Sequence, residues 1–268
     1  MRRIHLFLLV LALAICVTAS AAWAGTLYAI DDANNSLYTI NPNTFALTFV
    51  GSTGVSGDFG DLAYNPGTGT AYWIPGRGND NLYTLNLSTG SATQVGSHGI
   101  NDMFALAYDP ATNMLYGDAT SGNFYSLNTS TGAATLIGNN GVYPGGMTYN
   151  STTGQLILTM AGGSGSFYSI NPATGAATLL GSPGYLNDNG VTWDPDLGVY
   201  FVDDWNGKLY EVNPNNWTYS IVSNLNGDPF DGIIYVNGGG TTPEPGSLIL
   251  FGSGLLGVAA VVRRRLQR

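Results

Sequence analysis

The chain has 268 residues, 44% hydrophobic and only 9% charged where about a quarter is typical, with 38 glycines and a formal net charge of −9. It can bury a core, which excludes a disordered acidic tail, a coiled coil and a collagen, and its long apolar runs lie only at the two ends, which excludes a polytopic membrane protein. Between Gly25 and Gly240 two basic residues, Arg77 and Lys208, stand against sixteen acidic ones, a net −14 that excludes nucleic acid and favours cations or neutral hydroxyl-rich ligands.

The first element is an address. Met1-Arg2-Arg3 is a short positive start, Leu6 to Val17 is an apolar run of twelve, and Ala22-Trp23-Ala24 sets small residues at the −3 and −1 cleavage positions. In that order they read as a secretory signal peptide over 1–24, cut before Gly25. A lipoprotein signal at Cys16 is disfavoured, because Ile15 stands where that signal wants Gly, Ala or Ser. Cys16 is the single cysteine, so the mature chain is expected to hold by its core without disulfides.

Residues 25–239 repeat. "SLYTIN" at Ser36–Asn41 returns as "NLYTLN", "NFYSLN", "SFYSIN" and "KLYEVN", with Tyr38, Tyr83, Tyr125, Tyr168 and Tyr210 spaced by 45, 42, 43 and 42. "LAYNP", ending at Pro66, returns four times, and "TLYAI" at Thr26–Ile30 has counterparts around Tyr72, Tyr116, Leu158 and Tyr200. A fourth segment, such as "ATLIG" at Ala134–Gly138, follows a Thr-Gly turn in three repeats. Four short apolar segments per unit, parted by Asn-Pro, Asp-Pro and Ser-Thr-Gly turns, predict hairpins rather than helices. A unit of about 43 residues with four strands predicts a propeller blade. The reading is all-β: a five-bladed β-propeller of four-stranded blades. The unattached "GIIYV" at Gly232–Val236 closes the ring by joining the N-terminal blade.

Two rings of aromatics recur, the five strand tyrosines above and Tyr64, Tyr108, Tyr149, Trp193 and Tyr235. Aromatics at one position in every blade are expected to pack blade against blade. Asp109, Asp194, Asn41 and Asn171, each before a proline or a turn, are expected to cap turns. Twelve of the sixteen acids fall in connections on one face and crowd towards the closure seam. Asp31, Asp32, Asp203, Asp204, Asp228 and Asp231 are therefore the candidate calcium ligands, since calcium takes six to eight hard oxygens. None of these loops matches an EF-hand or the Gly-Gly-x-Gly-x-Asp calcium repeat. Trp73 and Trp205, beside this face, are candidates for stacking on a sugar. Some five-bladed propellers are glycosidases with paired carboxylates, but no pair here is marked by spacing, and the sole histidine of the middle region is His98. No catalytic residue is assigned.

The last element, 240–268, is a second address. Pro243-Glu244-Pro245 precedes sixteen uncharged residues, 247–262, and then Arg263, Arg264 and Arg265. As a helix the run spans ~24 Å, slightly short of a hydrocarbon core, with arginines able to snorkel. These three parts closely resemble the PEP-CTERM sorting signal of Gram-negative bacteria. The resemblance implies a short transmembrane helix, recognition by an exosortase-like membrane protease or transpeptidase, and delivery to the cell surface, outer membrane or extracellular matrix. Such proteins accompany exopolysaccharide production, which makes exopolysaccharide or a surface protein the expected partner. The expected function is a non-catalytic binding or structural module. The alternative is a calcium-dependent secreted hydrolase, a glycosidase or lactonase-like enzyme, working from the acidic face.

Overall fold

The structure is a computed structural model that describes residues 25–184, 186 and 188–237. The signal peptide, the sorting tail with its apolar run 247–262, and the side chain of Asp188 lie outside the described residues. No helix among the described residues is long and apolar enough to cross a membrane.

Five four-stranded antiparallel sheets form the blades of a propeller. Blade 1 runs from β20 (Phe230–Asn237) on the inside through β1 (Gly25–Asp31) and β2 (Ser36–Ile40) to β3 (Leu47–Ser52). Blade 2 holds β4 (Asp61–Asn65), β5 (Thr70–Ile74), β6 (Asn81–Leu85) and β7 (Ala92–Ser97). Blade 3 holds β8 (Met103–Asp109), β9 (Met114–Ala119), β10 (Asn123–Leu127) and β11 (Ala134–Asn139). Blade 4 holds β12 (Pro144–Asn150), β13 (Gln155–Met160), β14 (Phe167–Ile170) and β15 (Ala177–Gly181). Blade 5 holds β16 (Asp188–Asp194), β17 (Val199–Asp204), β18 (Leu209–Asn213) and β19 (Thr218–Ser223).

The closure reads as expected. β20 pairs antiparallel with β1, from Gly25 opposite Asn237 to Asp31 opposite Phe230. Both ends of the described chain therefore leave on one face of the disc, the face of the turns that join the first and second strands of each blade. Those turns are held by side chains: Asn65, Asp109, Asn150 and Asp194 each accept the N–H two residues on. Asn41 and Asn171 do the same between the third and fourth strands. The third and fourth strands shift register at the same step in every blade, just before Tyr38, Tyr83, Tyr125, Tyr168 and Tyr210. One bulge per blade adds the local twist that a radial array needs. The core is five clusters, one along each blade-to-blade seam, rather than one central mass.

Candidate functional site

The five innermost strands meet at the axis through one position of the repeat. Gly146, Gly190 and Gly232 hold it in β12, β16 and β20, Ala105 in β8 and Asp61 in β4. A Cβ on Gly146 would lie 2.7 Å from Gly190 Cα, one on Gly190 2.7 Å from Gly232 Cα, and one on Gly232 2.7 Å from Asp61 Cα. Glycine is what lets these backbones touch. At the remaining position Asp61 bridges three blades. Its Oδ2 accepts the N–H of Leu106 at 2.7 Å and of Met147 at 3.0 Å, and Oδ1 accepts that of Leu62 at 2.8 Å. Burial holds this carboxyl well above the usual carboxylate range, against the pull of those three N–H groups.

The seam carboxylates gather beside it. Asp231 accepts the N–H of Gly60 at 3.0 Å and is hydrogen-bonded to Asp32, so that one carboxyl donates its proton to the other. Burial, then the charges of Asp32 and Asp203, push Asp231 well up. Burial, then the charge of Asp58, push Asp32 up to about 6. Asp203 is fully buried and acts electrostatically on both Asp61 and Asp231. Asp32, Asp203 and Asp231, three of the six residues expected at the seam, thus come together. The others do not join them. Asp31 caps its own hairpin through Ala33 N–H and Asn34. Asp204 caps the next-blade hairpin through Asn206 and Lys208 N–H and accepts the Tyr210 hydroxyl. Asp228 is exposed and acts through its charge on Asp31, outside the group.

An aromatic stack stands at the same end, one residue from Gly60. Phe59, at φ 62, lies 4.6 Å from the Trp205 ring and 5.4 Å from that of Phe104, both nearly parallel. Arg77 sits 4.4 Å above Phe59 and pairs with Asp58 at 3.0 Å. Trp205 is 37% exposed but already has Phe59 against one face, while Trp73 is 1% exposed beneath Gly57 and Gly60 and presents no face to solvent. Among the described residues no three carboxylate, imidazole or thiolate groups converge to hold a metal ion. The sequence reading missed Asp61, Phe59 and Phe104. For Asp61 a signal existed: it breaks a position that is Ala or Gly in the other four repeats.

The opposite end of the axis is different. A cavity of about 250 Å³ opens there, lined from all five innermost strands. Tyr64, Tyr108, Tyr149, Trp193 and Tyr235 belong to its wall. Tyr108 packs on Tyr72 of the neighbouring blade at 6.2 Å, as repeated aromatics were expected to, whereas Trp193 packs on Tyr200 of its own blade at 4.9 Å.

Residues 9–107 match a family described as a domain of unknown function (DUF4394), and residues 241–265 match the PEP-CTERM protein-sorting motif. No curated protein matches the chain. Among solved structures the chain is similar to a structural-genomics protein of unknown function from Bacteroides thetaiotaomicron VPI-5482, with 21% identity, a TM-score of 0.56 and coverage of 76% of this chain. It spans only 56% of that protein's length. It is also similar to a chain of the nidogen/laminin complex, with 14% identity, a TM-score of 0.57 and coverage of 81% of this chain and 82% of the other. At such identities the likeness is one of fold. The chain carries a PEP-CTERM sorting motif behind a five-bladed propeller.

Proposed function

We propose that this protein, which its motif marks as exported and sorted by an exosortase, uses the propeller as a non-catalytic binding or structural module at the cell surface or in the extracellular matrix. Its partner is exopolysaccharide or a surface protein. The supporting observation is burial: Asp61, Asp203 and Asp231 are each at most 2% exposed. Carboxylates so enclosed serve to tie blades together more readily than to meet a substrate. The test is retention of the full chain on insoluble polysaccharide from an exopolysaccharide-producing bacterium, with release of soluble sugar measured in parallel. Retention without release supports the reading, and release with turnover overturns it.

One observation favours the hydrolase alternative. Asp32 and Asp231 share a proton, and a held proton beside a carboxylate is what glycoside hydrolysis requires of its acid. Replacing Asp231 with Asn would abolish such turnover while the fold survives. Calcium at this end would have to draw together Asp32, Asp203 and Asp231, which do not converge on a metal position as they stand, and to displace that shared proton. Its stabilisation of the fold should then grow as pH rises from 5 to 8. A melting temperature unchanged by millimolar calcium at pH 8 sinks the metal.

A further inference from the structure

We propose that the aromatic cavity at the other end of the axis binds a small alkylammonium group, quaternary or tertiary, at a site separate from the carboxylate end. Its wall includes five aromatic side chains, one from each blade, among aliphatic residues and prolines. Ring faces attract cations, and a cage of them is the recurrent way proteins hold a methylated ammonium. Neutral sugars also stack on aromatic rings, so charge has to decide. Asp109 and Asp194 stand at the ends of β8 and β16 on this face, and Asp196 accepts the Tyr235 hydroxyl at 2.6 Å. The two basic residues of the described chain are both elsewhere: Arg77 is paired at the carboxylate end, and Lys208 lies in the β17–β18 hairpin of that same end. Among the described side chains the cavity face therefore has three carboxylates and no cation.

The wall residues feel that field. Burial first, and then Asp109, push the Tyr149 hydroxyl up, and Asp194 and Asp196 add to the burial and the hydrogen bond that raise Tyr235. A positive ligand would relieve what these groups oppose. The size agrees: about 250 Å³ lies just under the ~300–1,000 Å³ of drug-sized sites, room for a headgroup and not for a polymer. The buried indole N–H of Trp193, a wall residue, has no hydrogen-bond partner among the described residues.

The experiment uses the full chain in a maltoside detergent, titrated with choline and with its uncharged carbon isostere 3,3-dimethylbutan-1-ol, read by calorimetry and tryptophan fluorescence. Saturable choline binding, with the isostere at least about tenfold weaker, is the expected result. Tyr149→Leu should weaken choline about tenfold and Tyr149→Phe should keep it, since the ring and not the hydroxyl is used. Should Tyr149→Leu fail to fold, Ser151→Trp, at an exposed turn on the cavity rim, should block the site with an unchanged melting curve. Asp80→Asn, at the opposite end, should leave binding as it is. Displacement of choline by phosphatidylcholine but not phosphatidylglycerol vesicles would identify a lipid headgroup as the source, and choline binding that vesicles leave untouched would identify a soluble cation; both uphold the site. No choline binding, equal affinity for the isostere, or binding only of glucose or of a Pro-Glu-Pro peptide would overturn it.

Discussion

Asp118, next to the last residue of β9, has no exposed surface, one oxygen accepting from Asn140 and the other without a partner among the described residues. Burial pushes its pKa up from 3.8 to about 8. Between those values the folded chain keeps a proton that the unfolded chain releases. The stability tied to this group is thus complete below about pH 4 and is lost as pH rises through 8. Asp118→Asn should raise stability at pH 8.5 by on the order of 1 kcal/mol, about 3 °C in Tm, and flatten its decline above pH 5. An equal decline in wild type and variant by calorimetry would refute this. Glycines make a second residue-scale point. A Cβ on Gly51, Gly96 or Gly138 would meet the carbonyl oxygen of Thr89, Thr131 or Thr174 at 1.9, 2.1 or 2.0 Å. Each outer strand thus touches the Thr-Gly turn of the next blade through bare backbone. Gly96→Ala should cost about 2 kcal/mol in denaturant unfolding, where an ordinary surface Gly→Ala in a strand would be neutral or better.

At the scale of elements, the repeat explains most of what is seen and its exceptions flank blade 5. The turn glycines Gly90, Gly132 and Gly175 have φ between 73 and 80. Blades 1 and 5 place Phe45 and Trp217 there instead, at φ 54 and 58. Those rings pack on Phe201 and Phe167 at 6.0 and 5.3 Å, putting an apolar contact on either side of blade 5, at the closing seam and at its boundary with blade 4. β20 is the other closing device. It supplies Phe230, Ile233 and Tyr235 to the core between blades 5 and 1, and Asp231 to Gly60 of blade 2. A chain ending at Gly227 should therefore lose cooperative unfolding altogether, rather than keep four stable blades. A sharp thermal transition in that truncation would show that closure is dispensable.

For the whole molecule, sixteen acids against two bases set a pH dependence with a sign. Asp32, Asp61, Asp118, Asp194 and Asp231 all have raised pKa values in the fold, chiefly from burial. Each binds protons more tightly folded than unfolded, so each loses stabilisation as pH rises. His98 acts on the acid side: burial lowers it from 6.5 to about 4, so its contribution is lost as pH falls between those values. Because five carboxyls outweigh one imidazole, the melting temperature should be highest at the acid end of the range, about pH 4 to 5, and fall as pH rises towards 9. His98→Gln should extend the plateau to lower pH. A maximum at alkaline pH, from a thermal scan across pH 4–9, would contradict the burial of these carboxylates.

The amino-acid sequence determined the blade count, the four-strand unit, the closing strand and the sorting tail. These rest on local chemistry: strand alternation, turn residues and a motif are each written within a few neighbouring positions. The capping roles of Asn41, Asp109, Asn171 and Asp194 were legible for the same reason, because each bonds to its own turn. Only the tertiary structure decided which carboxylates meet. Asp31, Asp32, Asp203 and Asp204 are two adjacent pairs, and one member of each caps a hairpin while the other turns to the axis group, a choice that strand pleat makes and composition does not record. Asp61 reaches Leu106 and Met147, and Asp231 reaches Gly60 from 171 residues away. Contacts of that span depend on the radius and closure of the ring, and so does the aromatic cavity, to which each blade contributes one residue that looks like ordinary core in its own repeat.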